Sequence, residues 1–275
     1  MFTNLGIIGY PLKHTISPKI HNYLLYKSNI NGGYNCFELS DGNDLKIFID
    51  FAKKYNFKGF NVTLPFKTAI FDFVDNYSKE VTAVRSVNTI NFEDGKICAY
   101  NTDIYGFDKL LDMNNIDVTN KKIVVLGSGG AARSVINVLL KYKYNTIYIF
   151  NKNLERTRQL CADLQIKNNP DILISDLKYI STVSECDIII NTTSAGLYND
   201  FNIDIGEMSV MDCAIDLLYS KDLTTFLKKI AHRCSKLIDG TDMLIMQAIR
   251  SFEVWTGKSM YSLFDDLKNY LKGGF

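Results

Sequence analysis

The chain has 275 residues, of which 47% are hydrophobic and 22% charged, and its formal net charge is +1. These values are typical of a globular protein large enough for two domains, and the small net charge argues against nucleic acid or an anionic membrane as a partner. Six cysteines are scattered without a CxxC pair or metal-ligand spacing, which predicts reduced thiols, no metal site and a cytoplasmic location. No signal peptide is expected, and no apolar run approaches the ~20 residues that a membrane span requires.

The first part of the chain predicts a mixture of strands and helices. Ser17 followed by Pro18 is typical of a helix N-cap with proline at the first helical position, and Pro65 is expected to open another short helix. Asp94 and Gly95 lie between two strand patterns and predict a hairpin. The predicted strands are 5–9, 34–39, 57–63, 88–92 and 96–100, and the predicted helices are 17–26, 45–55 and 102–111.

From residue 121 onward, short apolar strands alternate with helical or loop segments. This alternation is typical of a parallel, doubly wound sheet. The predicted strands are 123–126, 146–150, 172–174, 188–191, 210–216 and 236–238, and the tail predicts helices at 243–255 and 263–271. The expected fold class is therefore α/β.

A glycine-rich turn follows the strand predicted at 123–126. Gly127, Gly129 and Ala132 have the spacing G-x-G-x-x-G/A, between a buried strand and a helix, which is the context of the dinucleotide fingerprint. Gly127 permits a tight turn and Gly129 lets the backbone approach a pyrophosphate, while the helix N-terminus offers N–H groups to phosphates. The turn therefore predicts a nucleotide site.

The residues after the next strand favour NADP over NAD. An NAD site usually has a carboxylate about twenty residues past the glycines, but here the strand ends in Asn151, Lys152 and Asn153, with Arg156 just beyond. Lys152 and Arg156 can pair with a 2′-phosphate. The alternative is that these cations form only a solvated helix start.

Polar residues outside the glycine turn cluster at 14–18, 59–67, 86–89 and 101–106. Their hydroxyl and amide groups are suited to a polyhydroxy acid. Lys67 and Asp103 can share a proton with a substrate oxygen. Taken singly, each of these residues also fits a helix cap, a turn or a solvated charge.

Together, these motifs resemble the shikimate dehydrogenases along nearly the whole chain. The matching motifs are Gly9-x-Pro11, His14-x-x-Ser17-Pro18, Asn61-Val-Thr-x-Pro65-x-Lys67, Val87-Asn-Thr89, Asn101-Thr-Asp103-x-x-Gly106, Gly127-x-Gly-Gly130, Asn191-Thr-Thr193, Asp216-x-x-Tyr219 and Gly240-x-x-Met-Leu-x-x-Gln247. The resemblance implies reversible reduction of 3-dehydroshikimate to shikimate with NADPH, on the chorismate route to aromatic amino acids.

The resemblance also implies roles for individual residues. Lys67 and Asp103 are expected to be the catalytic pair, and they also count among the substrate ligands. The other expected substrate ligands are Thr15, Ser17, Thr63, Asn88, Tyr219 and Gln247. The expected cofactor ligands are Gly127, Ser128, Gly129, Gly130 and Ala131 for pyrophosphate, Asn151, Lys152 and Arg156 for the ribose phosphate, and Thr192, Leu217 and Gly240 near nicotinamide.

The implied architecture has two domains with the active site in the cleft between them. An α/β substrate domain is expected at 1–103 plus 241–275, and a Rossmann-like NADP domain at 104–240. The expected partners are small molecules, without nucleic acid, membrane or metal, and the chain is expected to be a monomer or homodimer.

Four positions depart from the family pattern. They are Thr15 for the usual serine, Arg85-Ser86 for Gly-Ala, Lys221 for proline, and Asn151-Lys152-Asn153 for Asn-Arg-Thr. Thr15 leaves open a quinate/shikimate dehydrogenase that prefers NAD. Arg85 is the one feature that favours a non-catalytic protein binding shikimate or nucleotide.

Overall fold

A computed structural model describes residues 2–197 and 201–272 of the chain. These residues divide into two compact units. Unit 1 contains the described residues 2–106 and 244–272, and unit 2 contains 107–197 and 201–243. The assignment of substrate and nucleotide to separate domains stays a prediction.

Unit 1 is built on a six-stranded mixed sheet. Its strands are β1 (Thr3–Gly9), β2 (Gly32–Glu38), β3 (Gly59–Val62), β4 (Asn76–Tyr77), β5 (Thr89–Glu93) and β6 (Lys96–Tyr100). The strand order is β2-β1-β3-β5-β6-β4, and β1 runs parallel to both of its neighbours. The first four helices of the chain begin in this unit, and they are α1 (Ser17–Lys27), α2 (Gly42–Lys54), α3 (Lys79–Val84) and α4 (Asp103–Met113).

Aromatic side chains fill the core on one side of this sheet. Phe48 of α2 meets Phe60 of β3 edge to face, with ring centroids 5.1 Å apart, and also contacts Phe57 at 5.9 Å. Edge-to-face pairs of this kind stabilise beyond the area that they bury. Asp41 caps α2 by accepting from the N–H groups of Asn43 and Asp44, which fixes where the helix begins.

Unit 2 confirms the parallel, doubly wound sheet. Its strands are β7 (Lys122–Leu126), β8 (Thr146–Asn151), β9 (Ile172–Asp176), β10 (Glu185–Asn191), β11 (Ser209–Asp216) and β12 (Lys236–Ile238). They lie in the order β12-β11-β10-β7-β8-β9, and every described pair is parallel. The helices that begin in unit 2 are α5 (Gly130–Leu139), α6 (Leu154–Asp163), α7 (Thr225–Ile230) and α8 (Thr241–Thr256), and the last helix, α9 (Phe264–Lys272), lies in unit 1. Among the described helices, none combines the length and the apolarity that crossing a membrane demands.

The hairpin prediction is confirmed, but two local predictions are wrong. Asp94 and Gly95 have φ values of 50° and 75°, as a tight hairpin turn requires. Ser17 is not an N-cap: its hydroxyl accepts from Thr15 at 3.1 Å, and Ile16 occupies the cap position. Pro65 does not open a helix, because the Phe66 N–H bonds the Thr63 carbonyl and closes a turn. A 3₁₀ turn begins only at Ala69–Phe73.

Arg85, one of the departures found in the sequence, occupies the C-cap of α3. Its φ of 48° and ψ of 46° are left-handed, a conformation that favours glycine. The residue is exposed, and its guanidinium lies 5.5 Å from the centroid of the Phe71 ring. The bulky cation therefore packs on the surface of unit 1 above Phe71.

Asp216 is a buried carboxylate at the end of β11. It is 0% exposed. It accepts from the Asn191 amide at 2.9 Å, from the Thr224 hydroxyl at 2.6 Å and from the Leu218 N–H at 3.1 Å. Burial raises the pKa of Asp216 from 3.8 to about 6, although these donors oppose the shift.

We expect Arg85→Gly to stabilise the protein by about 1 kcal/mol, because glycine adopts the left-handed conformation without the steric cost that a side chain carries. Thermal unfolding measures the change. Ala83→Gly is the matched control. A glycine introduced there, where the backbone is helical, should destabilise the protein by about 1 kcal/mol. Equal effects of the two substitutions would contradict the conformational explanation.

Asp216 should make stability fall as pH rises from about 4 to about 6. A carboxyl whose pKa is raised in the folded state, from 3.8 to about 6, binds its proton more tightly there than in the unfolded chain. The asparagine of Asp216→Asn cannot titrate. The free energy of unfolding of this variant, relative to that of the parent, should therefore rise by on the order of 3 kcal/mol between pH 4 and pH 6. Denaturant unfolding at several pH values measures both proteins. A difference that does not change with pH would show that folding does not raise the pKa of Asp216.

Candidate functional site

Lys67 and Asp103 form an ion pair in unit 1. Lys67 lies in the turn after β3, and Asp103 is the first residue of α4. Lys67 Nζ is 2.5 Å from Asp103 Oδ2, and the two side chains are 15% and 8% exposed. Because little water reaches the pair, its charges are screened less than those of a surface ion pair. The arrangement places a proton donor beside a carboxylate.

Asn88 binds the other oxygen of Asp103. It precedes β5 and is 3% exposed. Its Nδ2 donates to Asp103 Oδ1 and to Thr102 Oγ1, each at 2.8 Å, and its Oδ1 accepts from the Thr102 N–H at 2.8 Å. Gln247 Oε1 lies 3.4 Å from the same Nδ2. Both oxygens of Asp103 therefore have a donor, as an ionised carboxylate requires.

The predicted substrate hydroxyls follow two neighbouring parallel strands. Thr15 and Ser17 come after β1, and Thr63 comes directly after β3. The Thr63 N–H bonds the Ile8 carbonyl at 2.9 Å. A Cβ on Gly9 would lie 2.3 Å from Thr63 Cγ2, so glycine is needed for this close approach. These hydroxyls therefore share the carboxyl edge of the sheet, where ligands of α/β proteins usually bind.

Unit 1 holds seven of the predicted substrate residues, and Tyr219 is the exception. Tyr219 lies in unit 2, in the segment after β11. Its role in the substrate site stays a prediction.

The structure adds buried polar residues that the sequence did not single out as site residues. Asn61 Nδ2 lies 3.1 Å from Thr89 Oγ1 and from Ser251 Oγ, and its Oδ1 accepts from the Tyr34 hydroxyl at 2.7 Å. Ser251 lies on α8, one helical turn after Gln247, and its hydroxyl also contacts the Gln247 carbonyl at 3.0 Å. That i, i+4 spacing is the one signal in the sequence that connects Ser251 to the site.

The glycine turn of unit 2 has the backbone that a phosphate site requires. Gly127 has a φ of 103°, and a Cβ there would lie 2.7 Å from Thr192 Oγ1. A Cβ on Gly129 would meet a single neighbour, Arg156 Nη2 at 3.7 Å. The first intrahelical bond of α5 runs from Arg133 N to the Gly129 carbonyl, so the N–H groups before it have no intrahelical acceptor. An anion fits at this helix start.

The end of β8 is hydrogen-bonded to the glycine turn of unit 2. Asn151 Nδ2 donates to Ser128 Oγ at 2.7 Å. Lys152 and Arg156 are both exposed, and neither forms an ion pair in the part of the chain that the structure describes. Two cations beside a glycine turn fit an adenosine ribose that carries a phosphate.

Three further predicted cofactor residues follow neighbouring strands of the same sheet. Thr192 comes after β10 and donates its hydroxyl to the Leu126 carbonyl at 2.6 Å. Leu217 comes after β11, and a Cβ on Gly240 would lie 2.1 Å from the Leu217 carbonyl oxygen. The segments that carry these residues therefore pack backbone to backbone, and Gly240 has no room for a side chain. Among the described residues, no three His, Cys, Asp or Glu side chains are grouped as a metal ion would need.

Comparison with known proteins identifies the family. Residues 7–90 match the model of the shikimate dehydrogenase substrate-binding domain, and residues 109–213 match that of shikimate/quinate 5-dehydrogenase. Shikimate dehydrogenase (NADP(+)) of Caldicellulosiruptor bescii is 37% identical over 259 residues, which cover 91% of this chain and 88% of that one.

Solved structures agree with this result. Shikimate dehydrogenase 1 from Peptoclostridium difficile superposes with a TM-score of 0.87 at 30% identity, covering 98% of each chain. A shikimate dehydrogenase in complex with NADP+ superposes with a TM-score of 0.83 at 33% identity, covering 98% of this chain and 94% of that one. The chain therefore belongs to the shikimate dehydrogenase family.

Proposed function

We propose that this chain is an NADP-dependent shikimate dehydrogenase, which reversibly reduces 3-dehydroshikimate to shikimate in aromatic amino-acid biosynthesis. The observation that carries this proposal is the ion pair of Lys67 with Asp103, whose second oxygen is bound by Asn88. Family membership alone is compatible with a protein that only binds its ligand. An ammonium beside a carboxylate supplies the proton donor that reduction of a ketone needs.

Lys67 handles the proton in this reaction. In the reducing direction, the Lys67 ammonium donates a proton to the oxygen of the ketone as that oxygen gains negative charge. Asp103 keeps the ammonium in place through its Oδ2 and orients a substrate hydroxyl. A nicotinamide cofactor bound by unit 2 would supply or accept the hydride.

Thr15, Ser17 and Thr63 hold the substrate by hydrogen bonds from their hydroxyls. A hydroxyl donates to a carboxylate and both donates to and accepts from an alcohol, so these side chains suit a polyhydroxy acid. Asn88, Gln247 and Tyr219 complete the proposed set. The Gln247 amide and the Tyr219 phenol can both donate and accept. Both N–H groups of Asn88 already donate to Thr102 Oγ1 and Asp103 Oδ1, so Asn88 binds the substrate by exchanging one of these bonds.

Unit 2 holds the cofactor in this proposal. Residues 127–131 bind the pyrophosphate through backbone N–H groups at the start of α5. Asn151 positions the turn through Ser128, while Lys152 and Arg156 bind the 2′-phosphate. Thr192, Leu217 and Gly240 are proposed to lie beside the nicotinamide.

A dehydrogenase assay tests the proposed function directly. The purified chain is given shikimate or quinate, each with NADP or NAD, and nucleotide reduction is followed by absorbance. We expect the highest kcat/KM for shikimate with NADP. A preference for quinate with NAD would support the alternative dehydrogenase, and binding of shikimate without turnover would support the non-catalytic alternative.

Removing the two cations after β8 should weaken the use of NADP selectively. Lys152→Asp combined with Arg156→Ala removes the proposed partners of the 2′-phosphate, and losing ~2 kcal/mol of ion pairing raises KM about thirtyfold. KM for NAD should change little, because NAD lacks that phosphate. Arg158→Ala is the control, since Arg158 is exposed and lies 3.4 Å from Glu155. Equal changes in KM for both nucleotides would refute this phosphate site.

A further inference from the structure

Four buried polar side chains of unit 1 form a closed ring of short contacts beside Asp103. We call Asn88, Thr89, Thr102 and Ser251 the hydroxyl ring, and each of them is at most 3% exposed. The contacts in turn are Asn88 Nδ2 to Thr102 Oγ1 at 2.8 Å, Thr102 Oγ1 to Ser251 Oγ at 3.0 Å, Ser251 Oγ to Thr89 Oγ1 at 2.8 Å, and Thr89 Oγ1 to Asn88 Oδ1 at 2.9 Å.

The available hydrogens fix the direction of every bond in the hydroxyl ring. The Thr102 N–H donates to Asn88 Oδ1 at 2.8 Å, which settles which end of the amide is the carbonyl. Thr89 has one hydroxyl hydrogen and must donate it to that carbonyl, because an amide oxygen only accepts. Ser251 must then donate to Thr89, and Thr102 to Ser251. All four donations therefore run the same way round the ring.

Two further contacts are consistent with this direction. Asn61 Nδ2 lies 3.1 Å from both Thr89 Oγ1 and Ser251 Oγ, and each of these oxygens has a second lone pair to accept it. The Gln247 carbonyl, 3.0 Å from Ser251 Oγ, competes for the Ser251 hydrogen. If that carbonyl took the hydrogen, the oxygens of Ser251 and Thr89 would face each other at 2.8 Å without one. The ring assignment avoids this repulsion.

The direction of the hydroxyl ring determines what Asn88 offers to Asp103. With its carbonyl held by Thr89 and the Thr102 N–H, the amide points its second N–H at Asp103 Oδ1, 2.8 Å away. A flipped amide would place its oxygen against the carboxylate instead. Bonds that run in one direction also polarise one another and strengthen the set.

We propose that Ser251 and Thr89 are positioning residues for the dehydrogenase reaction, acting through Asn88 to keep Asp103 and Lys67 in place. This inference rests on the proposed function, in which Lys67 and Asp103 are the catalytic pair. The ring is thus a support for the pair rather than only a buried polar contact of the fold.

Opening the hydroxyl ring at either residue should lower kcat. Ser251→Ala removes one oxygen from a helix and introduces a better helix former, so the variant is expected to fold. Thr89→Val keeps the shape of threonine without its hydroxyl. We expect each variant to lose about 10–100-fold in kcat, as for a hydrogen bond to a charged group. KM for NADP should not change, and Thr89→Ser, which keeps the hydroxyl, should recover most of kcat.

Ser86 provides the matched control for Ser251. It is also a fully buried serine of unit 1, but its hydroxyl has no hydrogen-bond partner among the described residues. Ser86→Ala should therefore leave kcat close to that of the parent. The melting temperature of every variant is measured alongside, so that a loss of stability is distinguished from a loss of catalysis.

Asp103→Asn, assayed in parallel, tells apart the failure of this inference and the failure of the proposed function. Near-normal kcat in Asp103→Asn would show that the catalytic pair is wrong and would remove the basis of the inference. A large loss there, with Ser251→Ala no slower than Ser86→Ala, would overturn the positioning role alone. If Thr89→Val does not fold, the comparison of Ser251→Ala with Ser86→Ala decides the question.

Discussion

The ion pair between Lys67 and Asp103 is the interaction on which the proposed chemistry depends. Two charges with little access to water are stable together only if their remaining hydrogen-bonding capacity is used. Asn88 meets this requirement by donating to the second oxygen of Asp103 at 2.8 Å. The pair comes from the turn after β3 and the start of α4, so the sheet of unit 1 must hold both segments in register. Buried hydrogen bonds between Thr89, Ser251 and Thr102 hold the segment before α4. The Val87 N–H bonds the Lys67 carbonyl at 2.8 Å and holds the turn after β3.

In each of the two units, polar groups of the proposed sites follow the carboxyl ends of parallel strands. In unit 1, Thr15 and Thr63 follow the parallel strands β1 and β3. In unit 2, the glycine turn, Thr192 and Leu217 follow β7, β10 and β11. Parallel strands end at a common edge, which gathers side chains that are distant in sequence. Gly240 permits backbone contact there, since a side chain would collide with the Leu217 carbonyl.

Much of this architecture could be predicted from the sequence, because strongly apolar strands and the Asp94-Gly95 turn are local signals. The errors at Ser17 and Pro65 arose because helix-capping rules were applied to segments whose hydrogen bonds do not cap a helix. The Ser17 hydroxyl accepts from Thr15, and the Phe66 N–H bonds the Thr63 carbonyl. Strand β4 and helix α3 were missed because they span two and six residues. Segments this short contain too few residues for a hydrophobic periodicity to be recognised. Ser251 could not be connected to Thr89 from the sequence, because 162 positions separate them.

Steady-state kinetics of Lys67→Ala test the central claim most directly. Removing the general acid should lower kcat by about 10²–10⁴-fold. KM for shikimate should change much less, because the substrate hydroxyl ligands remain. Lys58→Ala, another half-buried lysine of unit 1, should keep the kcat of the parent, and circular dichroism should show both variants folded. A folded Lys67→Ala protein with near-normal kcat would contradict the proposed mechanism.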